Sequence, residues 1–317
     1  MKKIVCFVLC LAMFTLLVAS CGPDKPEELT KIKIGVMSGP TGMGMAKLMN
    51  DNKDNTEKYE FSVYSAPTNA TADLANGTLD MLCLPTNTAA ALANSKPDYI
   101  STIAINTLGS LYLLTDADTT ISSIADLEGK TIYASVPSST TGPIINYLLE
   151  KNNVNATVEF EADHDALVAK LAANQASIAV LPEPKVTAAL IQNSAYSVDL
   201  DLSEEWSKVS DEPLTMGCIV VKNEFLSQNK ASVDAFLAEY EQSINYIANP
   251  DNLDSAAQMI VDAGVLPKLP VAKKALANLG DSITYIDGAD MNDALKAFYS
   301  SIGLTSPADE FYYDKEN

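Results

Sequence analysis

Short apolar runs alternate with helix-like stretches over the first two thirds of the chain. Strands followed by helices in this rhythm are typical of α/β domains with parallel sheets. One strand–turn–helix unit recurs about one hundred residues later. The first copy comprises the strand 31–37 (KIKIGVM), the small-residue turn 38–44 and a helix over 45–50, and the second comprises the strand 130–136 (KTIYASV), the turn 137–143 and a helix over 144–151.

Two further pairs of segments share nearly the same offset. YEFSVY at 59–64 has its counterpart in TVEFE at 157–161, and residues 74–85, ending in Leu-Pro, match residues 171–182, which end the same way. Three matched units at one offset predict two α/β lobes, each a parallel sheet with helices on both faces. The apolar segments Gly109–Thr115 and Met216–Val221 suit strands that cross between the lobes.

Beyond residue 222 the pattern becomes mostly helical. A single apolar helix face is predicted by the spacing of Val233, Phe236, Leu237, Tyr240, Ile244 and Ile247. Further helices fit 254–263, 271–279 and 292–302. Since these helices have no counterpart in the second lobe, we expect them to complete the first. The predicted organisation is therefore a first lobe of 32–113 plus 222–317 and a second lobe of 114–221.

The N-terminal segment has the pattern of an export signal. Two lysines precede an apolar run from Ile4 to Val18, and Ala19-Ser20 stand before Cys21. The run is about 15 residues long, shorter than the roughly 20 that a membrane-spanning helix needs. We interpret 1–20 as a signal peptide, Cys21 as a lipidation site and 21–31 as a polar tether, which predicts a lipid-anchored protein on the extracytoplasmic face of the cell membrane. An ordinary signal peptide remains the alternative.

Charge limits the classes of partner. The formal net charge is −20, with 41 acidic against 21 basic residues, and every basic residue is lysine. Nucleic acid is excluded as a partner because phosphate backbones require a basic face. Without arginine, no side chain can grip an anion in a bidentate fork, so an anionic ligand would depend on lysine, hydroxyl groups and helix N-termini.

The cysteines give little sign of metal or redox chemistry. Cys83 and Cys218 lie in apolar runs and are interpreted as buried free thiols, with a disulfide as the alternative. The sequence has no CxxC motif and no Cys/His cluster, so neither zinc nor another cofactor is indicated.

The candidate ligand site follows from the topology. In open α/β sheets, ligands bind beyond the carboxyl ends of the strands, and here both lobes have small, hydroxylated turns at those ends. Two lobes, a Cys21 lipobox, the turn SGPTGMG and the phrases DLEGKTI and LPEP together resemble the bacterial ABC-transporter substrate-binding lipoproteins, in particular the nitrate, sulfonate, taurine and thiamine-pyrimidine binders. This resemblance implies a two-lobed periplasmic-binding-protein fold of type II, with its ligand cleft between the lobes.

Position by position, the resemblance implies a set of ligand-binding residues. In the first lobe these are Ser38, Gly39, Thr41, Gly42, Met43, Thr86 and Asn87; in the second they are Ser138, Ser139, Thr140, Thr141, Gly142 and Glu183. His164, the only histidine, follows a strand end and is added as a candidate, with Asp163 before it as an N-cap. Helix capping and core packing remain the alternative roles for these turns. Trp206 is expected to pack at the surface of a lobe.

The resemblance implies capture of a small molecule and its delivery to an ABC permease with its ATPase. Because arginine is absent and Glu183 lies close by, a neutral, cationic or heteroaromatic metabolite is favoured, with a sulfonate-type anion as the alternative ligand. No nucleophile–base pair is visible, so we expect no enzymatic activity. The alternatives are an enzyme on the same fold, of the chorismate-processing or pyrimidine-synthase kind, and a surface sensor subunit that presents its ligand.

Overall fold

The computed structural model describes residues 29–135 and 140–314. The predicted lipidation site Cys21 and the predicted ligand residues Ser138 and Ser139 lie outside the described residues. From Lys31 onward the chain belongs to one compact unit.

Strands and helices alternate along the chain as the apolar pattern predicts. The strands are β1 (Ile32–Met37), β2 (Tyr59–Tyr64), β3 (Met81–Pro85), β4 (Ile100–Leu108), β5 (Leu111–Asp116), β6 (Thr131–Ser135), β7 (Thr157–Glu161), β8 (Ile178–Pro182), β9 (Tyr196–Asp201), β10 (Thr215–Lys222) and β11 (Ile283–Ile286). The helices are α1 (Pro40–Met43), α2 (Ala46–Asp51), α3 (Pro67–Ala75), α4 (Thr86–Ser95), α5 (Thr141–Lys151), α6 (His164–Ala172), α7 (Lys185–Gln192), α8 (Leu202–Ser207), α9 (Asn223–Gln228), α10 (Lys230–Ala248), α11 (Leu253–Asp262), α12 (Leu269–Leu279) and α13 (Gly288–Ser301).

The strands form two sheets whose orders correspond. The first sheet runs β2-β1-β3-β10-β4-β11 and the second runs β7-β6-β8-β5-β9. In each, the first strand of the repeat, β1 or β6, lies between the next two strands of the chain and is parallel to both. The next strand in the order is antiparallel to its two neighbours. The echo in the sequence therefore corresponds to a repeated sheet topology, and the fold is two-lobed.

The prediction of wholly parallel sheets is wrong, and the crossing segments explain why. The chain leaves the first sheet at the end of β4, Leu108, and enters the second at Leu111. A chain that leaves one sheet beyond its carboxyl ends and enters the next there must run against the parallel strands. The segments predicted to cross, Gly109–Thr115 and Met216–Val221, correspond to β5 and β10, which run antiparallel to their neighbours; β11, outside the crossings, is antiparallel to β4 as well.

The two crossings touch each other at Gly109. A Cβ atom on Gly109 would lie 1.8 Å from Oγ of Ser203, at the start of α8, so only glycine fits there. Since α8 belongs to the return crossing between β9 and β10, the two connections between the sheets are in direct contact.

The helical segment after residue 222 packs mainly on one face of the first sheet. All six residues of the predicted apolar face of α10 are buried, and they share a core with Ile34 and Val36 of β1 and with apolar residues of α11 and α12. The last helix behaves differently. α13 packs on the other face, where Phe298 lies 5.9 Å from Trp206 between ring centroids.

Trp206 is not at the surface of a lobe, as the sequence led us to expect. Its side chain is buried between Tyr147 of α5 and Phe298 of α13. The short helix α8 carries Trp206 into the layer where the two sheets and α13 meet, and the sequence gives no sign of α13 reaching that layer.

Both cysteines in the described residues are free and buried, as predicted. Cys83 belongs to the core on the α10 side of the first sheet and Cys218 to the core on the opposite side. Burial raises the pKa of the Cys83 thiol to about 12, so the thiol stays protonated and unreactive. Among the described residues, no helix combines the length and the apolar character that crossing a membrane requires.

Candidate functional site

The carboxyl ends of the two sheets come together at Gly39 and Pro184. Gly39 follows β1 and has φ +99°, and Pro184 follows β8. A Cβ atom on Gly39 would lie 4.0 Å from Cδ of Pro184, so the two loops leave room for about one methyl group. The turn predicted for the first lobe therefore lies directly opposite the Leu-Pro-Glu-Pro loop of the second.

The first turn is held in place by its backbone. The N–H of Ser38 donates to the carbonyl of Tyr64 at 2.8 Å, and the N–H of Gly39 donates to Val265 at 3.4 Å. A Cβ atom on Gly42 would lie 1.9 Å from the carbonyl oxygen of Met37, so glycine is required. Ser38 is exposed, whereas the side chain of Met43 is fully buried in the core.

A buried asparagine fixes the turn to the sheet. The amide of Asn106, on β4, donates to the carbonyl of Thr41 at 3.1 Å and to the hydroxyl of Tyr240 at 3.0 Å. Its Oδ1 accepts from the hydroxyl of Thr107 at 3.0 Å. Gly217 makes space for this network, because a Cβ atom there would lie 2.7 Å from Oδ1 of Asn106. Sequence reasoning missed Asn106, and its one signal is a polar residue inside an apolar strand.

The third turn of the first sheet begins α4. Thr86 is fully buried; its hydroxyl donates to the carbonyl of Thr215 at 3.1 Å, and its own carbonyl accepts from the hydroxyl of Tyr299 at 3.1 Å. These bonds tie the start of α4 to β10 and α13. Asn87 is half-buried at the same helix start.

In the second sheet, the described part of the predicted wall is the first turn of α5. Thr140, Thr141 and Gly142 are buried there, and the N–H of Ile144 donates to the carbonyl of Thr140 at 3.1 Å. The first N–H groups of this eleven-residue helix thus start at Thr141, six residues after the end of β6.

His164 begins α6 and contacts the end of β6. Its Nδ1 forms a hydrogen bond with the hydroxyl of the fully buried Ser135. Burial lowers the pKa of His164, and the positive charge of Lys185 lowers it further. His164 is therefore neutral at pH 7. Asp163 caps α6 as predicted, its carboxylate accepting from the N–H of Ala166 at 2.7 Å.

Glu183 is the buried carboxylate of the site, with 1% of its surface exposed. Oε1 accepts from the hydroxyl of Thr187 at 3.0 Å and from the amide of Asn278 at 2.7 Å, and Oε2 accepts from the N–H of Thr187 at 3.2 Å. All three of these donors are neutral. The negative charge is held by hydrogen bonds and by the N-terminal end of α7.

Among the described residues, no group of three or more His, Cys, Asp or Glu side chains is placed to hold a metal ion. Two surface cavities are lined by residues other than the predicted ligand residues. One is near Lys130 and Ser177, at the amino ends of the second sheet, and the other lies between α5 and α13.

Comparison with solved structures supports the fold. One similar structure is an ABC transporter protein of Parabacteroides distasonis, with 19% identity and a TM-score of 0.72 over 90% of this chain and 99% of that chain. The alkanesulfonate-binding protein of Xanthomonas axonopodis pv. citri, bound to MOPS, has 16% identity and a TM-score of 0.67 over 90% and 99%. The aliphatic sulphonate-binding protein of Escherichia coli has 15% identity and a TM-score of 0.70 over 90% and 93%.

The sequence profile of one family matches residues 48–243, and its description is ABC transporter, phosphonate, periplasmic substrate-binding protein. No curated protein matches the chain. Since the matched region spans more than half of the sequence, the chain belongs to the family of periplasmic substrate-binding proteins that deliver a small ligand to an ABC importer.

Proposed function

We propose that this protein captures a small organic metabolite between its two sheets and passes it unchanged to the ABC permease. The proposed contacts are the turn 38–42, Thr86 and Asn87 on one side and 138–142, His164 and Glu183 on the other; Met43 is left out because its side chain lies in the core. The approach of Gly39 to Pro184 supports this arrangement, because it brings the turn after β1 next to the loop after β8. The proposed lobes are 32–113 plus 222–317 and 114–221, with two boundaries moved by the sheets: β5, from Leu111, belongs to the second lobe, and β10 (Thr215–Lys222) belongs to the first.

The buried carboxylate of Glu183 supports a neutral, cationic or heteroaromatic ligand. A desolvated carboxylate bonded to neutral donors favours an N–H or ammonium group nearby and disfavours a second negative charge. The lack of arginine points the same way, because the bidentate grip on an anion is missing.

A phosphonate or sulfonate anion is the second candidate. The description of the matched family names phosphonate, and two of the similar structures are named as sulfonate binders. The hydroxyl-rich residues at the start of α5 support it, since a helix N-terminus stabilises an anion without any cationic side chain.

Isothermal titration separates the two candidates. The panel contains primary amines and heteroaromatic bases in one group, and alkylphosphonates and alkanesulfonates in the other. We expect saturable binding at one site for a member of the first group, with an affinity that Glu183→Gln lowers at least tenfold. Binding that is confined to the second group and unchanged by Glu183→Gln would contradict the proposed ligand class and favour the anion. A chemically altered product after incubation would favour the enzyme alternative.

We also propose that Cys21 carries a lipid and that 21–31 tethers the protein to the outer face of the membrane. The small residues before Cys21 and the apolar run before them support the proposal. The acidic charge supports it too, because a net charge of −20 disfavours adsorption to anionic lipid and leaves the acyl chains as the attachment.

A further inference from the structure

Asn278, near the end of α12, joins the C-terminal helices to the second sheet. Its side-chain amide donates to Oε1 of Glu183 at 2.7 Å, and its backbone carbonyl accepts from the hydroxyl of Tyr112 at 3.0 Å. Tyr112 lies on β5 and Glu183 follows β8, which are neighbouring strands of the second sheet. One residue therefore makes two hydrogen bonds to the same sheet, one through its side chain and one through its backbone.

The rest of α12 is bound to the first sheet's side of the molecule. Ala272, Ala275, Leu276 and Leu279 are buried in the core that contains β1 and α10. Because α12 is anchored by these residues, Asn278 cannot follow the second sheet when the two sheets move apart. Both of its hydrogen bonds must break on opening.

The two partners of Asn278 are fixed independently of it. Thr187 orients the carboxylate of Glu183 with its N–H and its hydroxyl. Tyr112 is 8% exposed and lies on β5, which pairs with a strand on each side. The carbonyl of Asn278 is among the last four of its helix, which have no partner inside the helix, so Tyr112 satisfies it. Asn278 itself is exposed, although the carboxylate that it bonds is buried.

A second contact accompanies this pair. Pro184, which directly follows Glu183, faces Gly39 across the site. The loop after β8 thus contacts the first sheet's side at two places, Gly39 and Asn278. The contact at Asn278 is the hydrogen-bonded one.

We propose that Asn278 is a latch residue: its bonds to Glu183 and Tyr112 hold the two lobes closed and slow the escape of a captured ligand. The inference rests on the two lobes and the cleft set out under Proposed function. A hydrogen bond to a carboxylate is stronger than one between neutral groups, which makes the side-chain bond the main contribution.

Single-molecule FRET on the full chain, without any ligand, tests the latch. Dyes are attached through non-natural amino acids at Asp54 and Ser194, which are exposed and lie on opposite lobes. Asn278→Ala is expected to lower the ratio of closed to open molecules about three- to tenfold, and Tyr112→Phe by a smaller factor. Asn278→Asp sets two carboxylates against each other and is expected to lower the ratio further.

Asn278→Gln keeps the amide and is expected to recover most of the closed population, which a merely structural effect at the helix end would not predict. Lys274→Ala, an exposed position one turn earlier on α12, serves as the matched control. Circular dichroism and melting temperature verify that each variant is folded. A parent without a closed population, or equal ratios for Asn278→Ala, Asn278→Asp and the control, would overturn the latch. Because no ligand is present, these outcomes are independent of the titration result.

Discussion

The ring of Trp206 lies 4.7 Å from the ring of Tyr147, measured between centroids. The ring centroid of Phe298 lies 5.9 Å from that of the same indole, and the indole N–H donates to the carbonyl of Glu212 at 2.9 Å. Trp206 thus lies in the layer between α5 and α13, on one of the two crossings between the sheets.

Because Trp206 is the only tryptophan, its emission reports on this layer alone. We expect a saturable change in intrinsic fluorescence when the lobes close on a ligand. Phe298→Leu should reduce the amplitude, because it removes an aromatic neighbour, and Phe160→Leu, on the exposed β7, should not. An unchanged spectrum under conditions where calorimetry detects binding would contradict the prediction.

Gly39→Ala tests the approach of the two turns. At φ +99° an alanine is strained, so we expect the free energy of unfolding to fall by about 1–3 kcal/mol, measured by urea denaturation. The added methyl group also fills the gap to Pro184, so ligand affinity should fall.

The matched control for that substitution is Gly77→Ala. Gly77 has φ +85°, with no atom within 4 Å of a Cβ placed there. It should lower stability through the same backbone strain and leave the affinity intact. Equal losses of affinity in both variants would show that Gly39 acts through stability alone.

Asn106→Ala should destabilise the protein more than a typical surface substitution. The substitution leaves the carbonyl of Thr41 and the hydroxyl of Tyr240 without their donor in a buried place. The expected loss is about 2–3 kcal/mol, measured by chemical denaturation. Asn94→Ala, at an exposed helix position, is the control and should cost less than 1 kcal/mol.

The lowered pKa of His164 makes part of the free energy of unfolding depend on pH. Burial, followed by the charge of Lys185, lowers the pKa of His164 in the folded protein, whereas in the unfolded chain the histidine titrates near its ordinary value of about 6.5. The unfolded state therefore binds a proton first as the pH falls. This contribution to stability is fully present above about pH 6.5 and is lost as the pH falls through the lowered pKa.

His164→Asn removes the titration, and the difference between the two proteins isolates it from the many carboxylates. The difference in unfolding free energy between wild type and variant should be constant above pH 7 and should shrink towards pH 5. A difference that stays constant across the whole range would rule out a lowered pKa at this position.

Cys21→Ser tests the proposed anchor. The substitution removes the acceptor for the lipid, and the folded protein should then appear in the soluble fraction with its ligand affinity retained. Ser20→Ala, beside it, keeps the cysteine and the small residue and should remain with the membrane. A Cys21→Ser protein that still sediments with membranes would contradict lipid anchoring.

The two-lobed fold was predictable from sequence because its signals are local. One unit of strand, turn and helix lies within about 30 residues. Because the unit occurs in both halves of the repeat, the same pattern can be recognised twice. The mixed direction of the strands was missed, since it depends on where the crossing segments enter the sheets.

The contacts that shape the site could not be predicted in the same way. Asn106 meets Thr41 and Tyr240 over separations of 65 and 134 residues, and Asn278 meets Glu183 over 95. The sequence around a lone asparagine in an apolar strand or at a helix end does not indicate which residue will be its hydrogen-bond partner. The loop position of Glu183 is visible in the sequence, but its burial and its neutral donors follow only from the fold.

The position of β10 in the first sheet limits the order in which the chain can fold. β10 lies between β3 and β4, yet it comes more than one hundred residues after them in the sequence. During synthesis and export, the first three strands emerge long before the strand that joins them to β4. The first sheet cannot be completed until Thr215–Lys222 has been synthesised, because this strand pairs with both β3 and β4. The N-terminal half therefore depends on the later part of the chain to become stable.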